Sequence, residues 1–147
     1  MDSNDPVDSA ELAHVRSYWA NMWPNSPIYT FLLKDVELLA ASHGKVLAKL
    51  KVQPAHMNSK GTLHGTVSAC ITDGFGGLAI ASTGVKNTGL STDIHTTYVS
   101  TARVGDMIII EATASKVGRS LAFTNVEIRH EGGAVIATGT HTKYVKV

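Results

Sequence analysis

Residues 61–85 contain one formally charged side chain, Asp73, set among Cys70, Ile71, Gly74, Phe75 and Gly77. A carboxylate in that company is paired, hydrogen-bonded or functional, because an unpaired buried charge is costly. An exposed helix face, or a buried Asp satisfied by backbone and Thr neighbours, would meet the same spacing. Nine residues upstream, His64-Gly65 stand where a helix would begin. A helix start offers unpaired N–H groups and a positive partial charge, which suit an anion or a developing oxyanion. Glycine there lets a ligand come close to the backbone. Taken alone, the pair is a helix start with a His near its cap. Asn58, in Asn58-Ser59-Lys60-Gly61, reads by itself as a turn residue.

Other chemistries find less support. No two of the seven histidines stand four residues apart, the spacing that would share a helical face. His56 and His64 are separated by a Gly-containing loop, and His130 and His141 fall on separate predicted strands, so no metal site is expected. Cys70 is a small apolar filler, with no His at a neighbouring helical position to activate it. Ser68 lacks the Gly-x-Ser-x-Gly elbow. Without Gly-x-Gly-x-x-Gly or a P-loop, dinucleotide and NTP chemistry are not expected.

The elements that must position these residues follow from periodicity. Asp8 and Glu11 resemble a capping box, and Leu12, Val15, Trp19 and Met22 recur at helical spacing until Pro24 and Pro27. The apolar stretch 28–33 is too short to assign. Residues 36–42 and the alternating Val46, Ala48, Leu50 and Val52 read as two strands around His43-Gly44. Residues 64–82 carry apolar side chains at spacings of three and four, so a helix is predicted, with Gly84 at its C-terminal cap. Gly74, Gly76 and Gly77 each cost such a helix about 1 kcal/mol relative to Ala. A helix that keeps them is one that something packs against closely. Leu90, Thr92, Ile94, Thr96 and Tyr98 then alternate with their neighbours, and residues 107–115, 121–130 and 134–145 follow as strands. The short connections predict antiparallel hairpins between neighbours. The sum is an α+β layer structure, an antiparallel sheet with one apolar, glycine-rich helix against it.

Composition bounds the rest. A chain of 147 residues is one domain's worth, able to bury a core without metal or disulfide staples. Its 13 basic and 12 acidic residues leave a formal charge of +1, so no nucleic-acid footprint is expected. One cysteine excludes an internal disulfide. No secretory h-region or bilayer-length apolar run is visible, so no membrane association is expected. The expected location is cytoplasmic, with the mitochondrion left open. Charged residues make up only 17%, which fits a surface partly covered by another subunit.

Several motifs together carry a family resemblance. Asn58-Ser59-Lys60-Gly61-Thr62-Leu63-His64-Gly65, with Asp73 after it, resembles the helix-start motif of hotdog-fold thioesterases in the PaaI-like group. Gly89-Leu90-Ser91-Thr92-Asp93-Ile94, Ala102-Arg103-Val104-Gly105-Asp106, Gly118-Arg119-Ser120-Leu121-Ala122-Phe123 and Ala137-Thr138-Gly139-Thr140-His141-Thr142-Lys143 resemble its later strands and turns, in order. The likeness covers residues 36–147 and is nearest to a eukaryotic acyl-coenzyme A thioesterase branch. It implies a hotdog fold, a curved antiparallel sheet wrapped around one long helix, with residues 1–35 as an N-terminal helical extension that could shape an acyl pocket.

The resemblance also implies roles. Asp73 would be the general base or nucleophile, the Gly65 N–H the oxyanion donor, Asn58 would orient the carbonyl or water, and Ser91 the attacking water. His64 would support the loop. Lys116, Gly118, Arg119 and, more weakly, Ser120 would meet coenzyme A, which is part of the substrate, so no cofactor is expected. Hotdog domains pair into dimers, often tetramers, so a homo-oligomer is expected, with Asn58 and Gly65 of one subunit facing Asp73 and Ser91 of another. The rival readings are a non-catalytic acyl-CoA or lipid-binding module and a hotdog hydratase or dehydratase. A base is superfluous for binding alone, and a dehydratase needs an Asp and a His paired for proton transfer.

Overall fold

The computed structural model describes residues 9–146. The Asp8 expected as a cap lies outside them. Ser9 caps the first helix, α1 (Ala10–Met22), its Oγ accepting the Leu12 N–H at 3.0 Å. A 3-10 turn, Trp23–Asn25, carries Pro24. The stretch left unassigned is a second helix, α2 (Pro27–Leu33), with Ser26 as its cap and Pro27 in its first turn, where no N–H is needed.

Six strands follow: β1 (Glu37–Ser42), β2 (Lys45–Lys51), β3 (Leu90–Tyr98), β4 (Met107–Val117), β5 (Leu121–His130) and β6 (Val135–Tyr144). They form one antiparallel sheet in the order β1-β2-β4-β5-β6-β3. The hairpins at 118–120 and 131–134 close as expected. β3 departs from the neighbour rule: it pairs with β6 rather than with β4. Residues 99–106 return across the sheet instead of turning tightly, and their Leu63 and Val52 contacts satisfy that backbone on the way.

The long helix α3 (Gly65–Ala81) lies on one face of the sheet and packs against β2, β3, β4, β5 and β6. Alternation in β2, β4 and β5 turns Val46, Ala48, Leu50, Ile108, Ile110, Val126 and Ile128 toward it, each at most 2% exposed. α1 covers the helix's other side with Leu12, Val15 and Trp19, and Trp19 tilts over Phe75 at 5.8 Å between ring centroids. Phe75 is fully buried, and its truncation to Ala would cost about 3–5 kcal/mol. The helix ends at Ser82, and Gly84 serves beyond that cap, at φ +93° with its N–H on the Ala81 carbonyl. Among the described residues no helix is long and apolar enough to cross a membrane.

The inner face of β6 differs from the rest of the core. Its inward residues include Gly139, His141 and Lys143, all buried. An added Cβ at Gly76 of α3 would stand 2.7 Å from Thr124 Oγ1 and 2.8 Å from His141 Nδ1; one at Gly139 would overlap the Thr72 side chain. Helix and strand therefore touch backbone to side chain at Gly76, which accounts for that glycine, whereas a Cβ at Gly74 or Gly77 would meet only ordinary contacts. Along β3 both faces are open, with Leu90 65%, Ile94 39% and Tyr98 58% exposed. A bulge interrupts β3 between Ser91 and Asp93.

Candidate active site

Asp73 sits midway along α3 with its side chain about one third exposed. The Tyr29 hydroxyl of α2 donates to its Oδ2. Ser91 Oγ lies 3.4 Å from its Oδ1 and 2.7 Å from His141 Nε2. His141 Nε2 itself is 3.8 Å from Asp73 Oδ1. The Ser91 hydroxyl can donate to the carboxylate, and the His141 tautomer sets which of the two donates in the serine–histidine contact. Plain alternation would have turned Ser91 away from Ile94, Thr96 and Tyr98. The bulge at Thr92 adds a residue, so Ser91, Ile94 and Thr96 all lie opposite the inward residues Lys143, His141 and Gly139.

The electrostatics shift the buried neighbours toward their neutral forms. Burial, opposed by the charge of Asp73, pushes the His141 pKa below its ordinary value, and its Nδ1 is buried without a hydrogen-bond partner. Burial also lowers Lys143, whose Nζ lies 3.4 Å from Thr88 Oγ1. Tyr18 of α1 reaches the same Thr88 hydroxyl at 3.0 Å. Burial first and Asp73 second push the Cys70 thiol up to about 12, so it stays protonated and inert, in keeping with a filler. The Tyr29 phenol is raised by burial, by its bond to Asp73 and by that charge, so it remains a donor. A carboxylate held between a phenol and a serine, partly open to solvent, can take a proton from a water placed beside Ser91.

The start of α3 is a second polar region. His64 caps the helix, its Nδ1 accepting the Thr66 N–H at 2.9 Å, while its own N–H reaches the His56 carbonyl. The ring thus serves as the cap of the helix start. That cap leaves the Gly65 N–H to be met from outside the helix. Asn58 Oδ1 accepts from the N–H groups of Lys60 and Thr62 at 3.0 and 3.1 Å, and its Nδ2 donates to Thr62 Oγ1 at 2.9 Å. Its turn role is thus realised, and one amide hydrogen remains for a ligand. Tyr98 packs over Gly65, its hydroxyl donating to the Gly65 carbonyl at 3.1 Å, and a Cβ at Gly65 would stand 2.9 Å from the ring. Beside this end lies an apolar groove of about 280 Å³ lined by Ile28, Phe31, Leu32, Met57 and Val67.

These regions do not meet within one chain. Eight helical residues separate Gly65 from Asp73, a rise of about 12 Å. Lys116, Gly118, Arg119 and Ser120 belong to the β4–β5 hairpin, with both basic side chains exposed. Leu121 pairs with Tyr144, and Tyr144 with Leu90, so this hairpin occupies the Ser91 end of the sheet. A polar concavity of about 430 Å³ that includes His95, Glu111 and Glu127 lies on the opposite sheet face, away from both regions. Tyr29 and His141 were not readable as site residues. The available signal was Gly139, His141 and Lys143 at alternate positions, where a buried strand face should be apolar.

Residues 60–137 match the family model described as Thioesterase superfamily. Acyl-coenzyme A thioesterase 13 of Homo sapiens is 38% identical over 115 residues, 78% of this chain and 82% of that protein. The crystal structure of zebra fish thioesterase superfamily member 2 is similar with a TM-score of 0.82 and 36% identity, covering 91% of this chain and 96% of that one. Phenylacetic acid degradation protein PaaI from Thermus thermophilus is alike in fold, with a TM-score of 0.71 and 22% identity over 82% of this chain and 99% of that one.

Proposed function

The chain belongs to the thioesterase superfamily, and on that premise we propose that it hydrolyses acyl-coenzyme A thioesters to a free acid and coenzyme A. It is a hotdog thioesterase of the PaaI-like group. The observation that carries the reading is the Asp73 carboxylate held beside Ser91. Asp73 Oδ1 takes a proton from a water placed by Ser91, and the water oxygen attacks the thioester carbonyl. The carbonyl oxygen, now an anion, is met by a Gly65 N–H at a positive helix end, with Asn58 orienting it. The tetrahedral intermediate then collapses, the C–S bond breaks, and coenzyme A leaves as the thiolate, which takes up the proton held by Asp73 and frees the carboxylate for the next turn. Base, oxyanion donor and water suffice, so no cofactor is required. Arg119 and Lys116 at the Ser91 end suit the nucleotide phosphates, and the apolar groove at the Gly65 end suits an acyl chain.

The rise of about 12 Å between Gly65 and Asp73 requires a second copy. β3 is an edge strand, open on both faces. Pairing it antiparallel with its copy, about a two-fold axis at His95, with Thr92 bulged out of the count, sets Tyr98 and Gly65 of one chain beside Ser91 and Asp73 of the other. The site is then built from both subunits of a homo-oligomer. Asn58→Ala and Asp73→Ala should each be inactive alone. Unfolded together and refolded as a mixture, about half the dimers are mixed, and each mixed dimer holds one intact site. Activity should return to about a quarter of wild type; none returns if each site lies within one chain, provided light scattering shows that mixed oligomers form.

A further inference from the structure

Tyr29 lies outside every motif that resembles the family, yet it makes the most direct contact with Asp73. It is 9% exposed and held on several sides. Its ring tilts against Trp19 of α1 at 5.7 Å between centroids, and its N–H meets the Ser26 cap at 3.4 Å. A Cβ at Gly74, the next residue after Asp73, would sit in ordinary contact with that ring at 3.5 Å. α2 is in turn anchored below by His56, whose Nε2 lies 2.7 Å from the Leu32 carbonyl. The phenol is therefore delivered to Asp73 by a fixed helix.

A carboxylate turns readily about its last side-chain torsion, so a half-open Asp presents either oxygen to a reacting water. Here Oδ2 is occupied by the Tyr29 hydroxyl, and Oδ1 is the oxygen facing Ser91 and His141. We propose that Tyr29 is a positioning residue for the reaction, holding the Asp73 carboxylate in the one orientation in which Oδ1 meets the water beside Ser91. This rests on Asp73 being the base. It gives the segment before the sheet a part in turnover as well as in shaping a pocket: α1 braces α2, α2 carries Tyr29, and Tyr29 sets the carboxylate. The phenol stays protonated through the neutral and alkaline range, so the bond persists wherever the enzyme works.

The groups facing Asp73 are Tyr29 from α2, Cys70 on α3, Ser91 from β3, and His141 and Lys143 from β6. Removing the hydroxyl frees Oδ2 and lets the carboxylate turn. Tyr29→Phe keeps the ring against Trp19 and Gly74, so the protein should fold, with a melting temperature within a few degrees of wild type. Its kcat should fall about tenfold with KM held within about twofold. Tyr29→Leu, a second variant without the hydroxyl, should lose at least as much. In the Asp73→Asn background, Tyr29→Phe should cost nothing further. Wild-type kcat in folded Tyr29→Phe, a rise in kcat, a change in KM alone, or a full extra loss on top of Asp73→Asn would each overturn the role. If Asp73→Asn itself turns over normally, the base assignment falls, a result separate from any of these.

Discussion

The side chains of Asn58 and His64, at the start of α3, bond no further than four residues along the chain. Asp73, midway along the same helix, meets Tyr29 across 44 residues, and Ser91 meets His141 across 50. One region has its polar side chains tied within their own segment, with Tyr98 over Gly65 and the Ala102 carbonyl on the Leu63 N–H as its distant ties. The other exists only when α2, α3, β3 and β6 have all docked. A local frame can be transplanted within its own segment, whereas the central cluster fails if any supporting element shifts by an ångström or two. The start of α3 is thus framed mostly by its own segment, and the Asp73 cluster is a product of the whole fold.

Substitutions should separate the two kinds of construction. The largest effect is expected from Asp73→Asn, which keeps shape and removes the base. Turnover on the best acyl-coenzyme A should drop by roughly 10²–10⁴ with the melting temperature nearly unchanged. Near-wild-type kcat would make Asp73 structural, and a chain that still bound acyl-coenzyme A would then fit a binding module. Next in size is Gly76→Ala. It places a methyl group within 3 Å of His141 Nδ1 and Thr124 Oγ1, so something buried must move. Thermal or urea unfolding should register about 1–3 kcal/mol of lost stability, with a fall in kcat because His141 carries Ser91 with it. An unchanged kcat would show that the cluster is less dependent on the packed seam than its geometry requires. The smallest effect is expected from Arg119→Ala on the exposed hairpin. KM should rise by roughly threefold at low salt, and the difference should shrink as salt is added. An unchanged KM would remove Arg119 from coenzyme A recognition.

The same division explains what could be read from the chain alone. The helix from 64–82, the loop at Asn58 and the His64 cap were legible because their signals are contiguous: a polar turn, a His-Gly start, apolar residues at helical spacing. The hairpins β4–β5 and β5–β6 were legible from short turns. The return of β3 to β6 was not, since a strand's pattern names its faces and not its partner. Asp73 stood out by charge, but its partners did not. Tyr29 sits in a one-helix stretch too short for periodicity, and His141 falls in a run of Thr residues that reads as an ordinary polar strand. The cost of the α3 glycines was visible and its reason was not, because Gly76 answers to Thr124 and His141, which are remote in sequence.

The bulge in β3 has a consequence for how this sequence can change over generations. A strand has two phases, and Thr92 switches between them once, after Ser91 and before Ile94. Replacing a residue leaves that count untouched, so Asp93, His95 and Thr97 are free to drift in identity. Losing or gaining a single residue between Ser91 and Tyr98 is another matter. It would turn one end of the strand outward while the other stayed inward, separating the two halves of the site without altering a single site residue. Selection on this edge therefore acts on arithmetic before it acts on chemistry: the spacing from Ser91 to Tyr98 must be inherited whole, whatever letters fill it.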